Sequence, residues 1–94
     1  MSRLATSNKQ QQDTYKAEIG AGIRRRLRAT RLERGLSITA LASAAGVARA
    51  SLLTAEGEKT ATGASLRVAS VAAIAAALGV RAGWLAFGEG PRDL

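Results

Sequence analysis

Residues 36–56, LSITALASAAGVARASLLTAE, restrict the fold more than any other stretch of the chain. Two apolar-periodic runs, Ile38 to Ala45 and Arg49 to Glu56, are joined only by Gly46, Val47 and Ala48. Helices so short and so closely linked must cross steeply, which is helix-turn-helix geometry. Gly46 stands where the chain leaves the first helix, a position that favours positive φ and therefore a residue without Cβ. Leu41, Ala45, Val47 and Leu52 fall on the inward sides, and Ala42 is small enough to let the second helix approach. An ordinary helical hairpin in a small bundle is the other reading of the same stretch.

Ninety-four residues make one domain, near the lower limit for a chain stabilised by a single apolar core. Alanine supplies much of the apolar content, and Tyr15, Trp84 and Phe87 are the only aromatics, so the core is expected to be thin and helical. Fourteen Lys and Arg against seven Asp and Glu give a net charge of +7. In so small a domain that excess favours a polyanion, nucleic acid before anionic membrane. The absence of cysteine and histidine removes disulfides, thiolate metal sites and the common nucleophile–base pairs. The carboxylates are scattered, and the glycines form no phosphate-binding loop. Neither an enzyme nor a metal or cofactor is expected. No run approaches the length of a membrane span, and no signal-peptide segment opens the chain, so a cytoplasmic protein is expected.

Residues 1–13 are polar and lack periodicity, which predicts a flexible N-terminal arm; Arg3 and Lys9 would let it touch a polyanion. From residue 14 to 34 the pattern is helical, with Tyr15, Ile19, Ile23, Leu27 and Thr30 at three- and four-residue steps. Gly20 and Gly22 weaken its beginning. Six arginines lie between positions 24 and 34. Arg24, Arg25 and Arg28 are expected to point outward, as a solvated face or as phosphate contacts, and Arg31 to lie on the buried side. Gly35 ends this helix and Ser37 caps the next. Ser65 is a good N-cap for a helix over 66–78, with Val68, Val71, Ala75 and Leu78 inward and Ile74 alongside. Gly79 ends it, Val80 returns to the core, and a short helix over 82–87 carries Trp84 as anchor. Leu85 and Phe87 are left as candidates for a dimer contact. The main domain is thus placed at 14–90, with 91–94 as a tail.

The run Ile23-x-x-Arg26-Leu27-Arg28-x-x-Arg31-x-x-Arg34-Gly35-Leu36-Ser37-x-x-x-Leu41-Ala42-x-x-Ala45-Gly46-Val47, followed by Leu52 and Glu56, resembles the phage repressor and Cro family of helix-turn-helix proteins. The tail Ala77-Leu78-Gly79-Val80-x-x-x-Trp84-Leu85-x-Phe87-Gly88-Glu89-Gly90 resembles that family's last two helices. The resemblance covers about 70 of the 94 residues. It implies an all-α, five-helix, lambda-repressor-like domain that binds double-stranded DNA as a homodimer. It also implies a structural ion pair between Arg31 and Glu56.

Position by position, the resemblance places Arg49, Ala50, Ser51 and Thr54 at base edges in the major groove. Ser37, Ala48, Lys59, Thr60, Thr62, Arg24 and Arg28 would meet the phosphate backbone. Arg49 is the strongest base-reading candidate, because a guanidinium can grip guanine through two hydrogen bonds. The implied function is a transcriptional repressor of a phage or mobile element. No effector domain is expected after residue 94, and occlusion of a promoter is the expected mechanism.

Three departures stand out. A glutamine common at the start of the second helix is replaced by Ile38, Leu53 occupies a usually polar outward position, and the segment GEKTATGAS (57–65) is longer than usual. They make the reading face apolar. A protein-binding module on the same fold, an antitoxin or inhibitor with weak or lost DNA binding, is therefore the alternative.

Overall fold

The structure, a computed structural model, describes residues 2–57 and 66–94, with side chains from residue 9 onward. It is all-α. Five helices follow in order: α1 (Ser2–Glu33), α2 (Ile38–Ala45), α3 (Arg49–Glu56), α4 (Val68–Leu78) and α5 (Ala82–Phe87). No described helix is long and apolar enough to cross a membrane.

α1 is the spine. Its 32 residues, at 1.5 Å each, measure about 48 Å, which matches the molecule's long dimension of 49 Å. The helix runs from Ser2, so the segment 2–13 is not the irregular arm that its polarity suggested. The correction has a local cause: no Gly or Pro occurs before Gly20, and Ala5, Lys9, Gln10, Gln11 and Gln12 are good helix formers. Residues 9–18 are exposed throughout, and the other helices cover α1 only from Ile19 on. Tyr15, expected on the inward stripe, is consequently exposed, whereas Ile23, Leu27 and Thr30 are buried.

Around the C-terminal half of α1 the remaining helices make a closed ring of contacts. α1 packs on α3 and α5, α2 on α3 and α4, and α4 on α5. Leu27, Leu41, Leu52, Ile74, Val80 and Leu85 are fully buried at the centre. Leu36, Ala45, Val47 and Trp84 pack against them from the rim. Val71, Ala75 and Leu78 form the inward side of α4 as the periodicity predicts. Val68 does not; at 86% exposed it stands at the first turn, outside the packed part of the helix.

One device ends three of these helices. Gly46 donates to the Ser43 carbonyl and Val47 to the Ala42 carbonyl, with Gly46 at φ 68°, a left-handed turn that only a residue lacking Cβ enters without strain. The same pair of bonds closes α1 through Gly35 and Leu36, and α4 through Gly79 and Val80. In each case the next residue is apolar and folds back on the core, so the turn chemistry and the packing agree.

The tail is docked, contrary to the expectation that Gly88 to Pro91 ends the fold. Arg81 N–H donates to the Arg92 carbonyl (2.8 Å), Leu94 N–H to the Gly79 carbonyl (3.4 Å), and Val80 and Asp93 form an antiparallel bridge. Arg92 reaches the Glu33 carboxylate at 2.6 Å, and Arg34 reaches Asp93 at 3.2 Å. Residues 92–94 thereby tie the end of α4 to the end of α1.

Candidate nucleic-acid interface

Helix α3 is anchored along one side and at its last residue. Leu52 and Ala55 are buried in the core, and Glu56 is buried under α1. There Arg31 forms a two-pronged ion pair with Glu56, Nε to Oε2 at 2.8 Å and Nη2 to Oε1 at 2.9 Å. The third arm, Arg31 Nη1, donates to the Leu36 carbonyl at 2.8 Å. One guanidinium thus joins α1, the turn into α2, and the end of α3. The hydrogen bond to Glu56, ahead of the opposing cost of burial, raises the Arg31 pKa above its ordinary value. Arg31 and Glu56 occupy the structural place that the resemblance implied for them.

The opposite side of α3 faces outward. Arg49, Ala50, Leu53 and Thr54 are exposed and Ser51 is half-buried. Ala48, the N-cap, has extended backbone and provides no side-chain hydrogen bond to the first turn. The Ala48 carbonyl instead accepts from Ser51 N–H at 3.0 Å and from Leu52 N–H at 3.4 Å, which closes the first turn. Ser37 is different: its Oγ accepts from Ala40 N–H at 3.0 Å, so its first duty is capping α2.

Arg49 is held from the side. Its Nε donates to Thr39 Oγ1, on the neighbouring α2, at 3.1 Å. Ile38, at the start of α2, is half-buried against the core and cannot brace α3 through a polar bond. Thr39, one residue further on, does so instead. Sequence reasoning overlooked it because Thr39 lies outside the apolar period and outside any motif position.

Of the expected backbone contacts, Arg28 is exposed and Arg24 half-buried, and neither makes an ion pair among the described residues. Lys59, Thr60 and Thr62 lie outside the described residues, and the expected Ser65 cap is corrected, because α4 begins only at Val68 with Arg67 at its N-cap.

Three further arginines have roles that the sequence reading missed. Arg26 donates from Nε to the Leu85 carbonyl at 2.9 Å and from Nη2 to the Ala86 carbonyl at 3.0 Å, closing the C-terminal end of α5. Burial, and then the neighbouring Arg25, lower its pKa from the ordinary arginine value. Arg34 Nε donates to the Leu78 carbonyl at 3.0 Å, closing α4. A cation at a helix C-terminus meets both unpaired carbonyls and the negative end of the dipole. Arg92 binds Glu33 and Asp93. The signal for the first two was present: Arg26 is three residues after Ile23, and Arg34 is seven after Leu27, so both flank the inward stripe.

The dimer candidates separate. Leu85 is 1% exposed and belongs to the core, which corrects its assignment to an interface; its position on the inner side of a short helix sends it under α1 and α4. Phe87 is 60% exposed. It borders an apolar groove of about 380 Å³ between α1, α4 and α5, lined also by Ile19, Val68, Val71 and Ala86, with Lys16 at its edge.

No family model, curated protein or solved structure matches the chain. The site must therefore be interpreted from its own geometry. That geometry is a short helix fixed by its inner side and its last residue, presenting an arginine at its exposed first turn.

Proposed function

We propose that this chain is a sequence-specific DNA-binding regulator whose α3 lies in the major groove. The observation that carries the reading is the division of α3. Leu52, Ala55 and Glu56 fasten it to the body, while Arg49, Ala50, Leu53 and Thr54 are exposed along its outer side. An α-helix fits the major groove, and an arginine at its start can grip guanine O6 and N7. The net charge of +7 supplies attraction to phosphate without regard to sequence. A homodimer on a two-fold symmetric site, occluding a promoter, is the simplest regulator of this kind. In it Phe87 and the adjoining groove would meet the second copy.

A second reading rests on Leu53, which is 45% exposed at the middle of the reading face. A leucine there suits a protein partner better than a base edge. Salt titration distinguishes the two. Affinity for random duplex DNA should fall with added salt at a log–log slope of about −0.9 per phosphate neutralised. A duplex enriched from a random library should bind at least about 10³-fold tighter than random sequence. Feeble, sequence-blind DNA binding would reject the regulator in favour of the protein-binding module.

A further inference from the structure

On the reading of α3 as a DNA-contacting helix, we propose that Thr39 is a positioning residue that turns the Arg49 guanidinium end-on to a guanine. A guanidinium has two ways of giving parallel hydrogen bonds to O6 and N7. Side-on, it uses Nε and one terminal nitrogen; end-on, it uses Nη1 and Nη2. The Thr39 hydroxyl oxygen already accepts the Nε proton at 3.1 Å, across the angle between α2 and α3. The side-on mode must compete with that bond, and the two terminal nitrogens, unbonded among the described residues, form the open end of the fork.

The constraint also reduces the freedom of a long side chain before it binds. Arg49 sits at the first position of an eight-residue helix whose N-cap offers no side-chain bond. Without Thr39 its fork would be placed by solvent alone. With it, the plane of the guanidinium is set by two elements that are themselves packed together. Arginine is suited to this because one donor can be used for orientation while two remain for recognition; lysine has no such division. The ligand so specified is a guanine in a G·C pair, met through its major-groove edge.

The test uses the full chain and a duplex enriched on it from a random-sequence library. The relevant G·C pair is the one at which Arg49→Ala abolishes discrimination. Thr39→Val removes the hydroxyl at nearly constant shape, and Thr39→Ser keeps it. Thr39 is exposed, so a thermal melt should be unchanged by either. Thr39→Val should lower the preference for G·C at that pair by about 2- to 12-fold, the worth of one solvent-exposed hydrogen bond. Affinity for a duplex with another pair there should stay the same, and Thr39→Ser should retain the wild-type preference. Unchanged discrimination in Thr39→Val, with specific binding intact, overturns the positioning role alone. A second readout is the ¹⁵N resonance of Arg49 Nε in the free protein. If Thr39→Val leaves it unmoved, the contact itself is refuted. If the resonance moves but no duplex is ever enriched, the DNA reading falls and takes the guanine assignment with it.

Discussion

The Arg26 guanidinium lies over the bare backbone of Gly22: a Cβ at position 22 would stand 2.9 Å from both Nη1 and Nη2. A Cβ at Gly88 would likewise be 3.1 Å from Nη1. The cation is thus enclosed by two glycines while it closes the end of α5. Gly22, which by propensity alone weakens α1, leaves the space through which α1 reaches α5.

Gly22→Ala should therefore change sign with its background. In the wild type it displaces Arg26 from the Leu85 and Ala86 carbonyls, and bonds from a charged donor contribute about 1.5–3 kcal/mol each. That loss exceeds the roughly 1 kcal/mol gained in helix propensity, so stability falls. In Arg26→Ala the clash is gone and the same change stabilises by about 1 kcal/mol. Urea unfolding of the four proteins measures the coupling. An equal effect in both backgrounds would refute the arrangement.

Glu56→Ala should cost about 3–5 kcal/mol, because it leaves Arg31 buried without its anion. The Glu56 side chain is only 5% exposed and that of Arg31 10%. Replacing both at once, as Arg31→Met with Glu56→Leu, should recover most of the loss, since two apolar side chains need no desolvation. Thermal melts of the wild type and the two variants decide. A melt unaltered by Glu56→Ala would mean that the pair holds nothing together.

Acid should undock the C-terminal tail before it unfolds the rest. The hydrogen bond from Arg92, with further help from its charge and from Arg34, holds the Asp93 carboxyl below its ordinary value of 3.8. A depressed folded-state pKa contributes stability above the unfolded value and loses it as pH falls through the folded one. The amide signals of Val80 and Arg81 should accordingly shift below about pH 4, and Asp93→Asn should remove that acid step. A shift of equal size in Asp93→Asn would assign it elsewhere.

Phe87→Glu and Leu85→Glu should behave differently although the residues are two apart. Phe87 is exposed, so its substitution should convert dimer to monomer in sedimentation equilibrium while leaving the melt within about 0.5 kcal/mol. Leu85 is in the core, and a carboxylate there should unfold the domain. A monomeric wild type would reject the proposed assembly and leave the Leu85 outcome standing.

Much of this fold could be anticipated from residue type and spacing. Helix boundaries between residues 35 and 57 follow from Ser37, Gly46 and the two apolar runs, because local bonds decide them. What escaped was set by distant partners. Spacing sets Arg26 and Arg34 beside the inward stripe, but it does not name the carbonyls some 44 to 60 positions away that complete them. The docked tail was missed for the same reason, since Asp93 is fixed by Val80, Arg34 and Arg92 together. Val68 was misplaced because periodicity tells which residues share a side, and not where a neighbouring helix stops. On the outer side of α3, Arg49 could be singled out from position, but its bond to Thr39 depends on the crossing of two helices.

The split of α3 has an engineering corollary. Positions 49, 50 and 53 share no residue with the set 52, 55 and 56 that roots the helix in the body. On the proposed DNA-binding reading, the former can be varied as a combinatorial library of helix-compatible residues at little cost to the fold, so that target preference becomes an interchangeable part on a constant chassis.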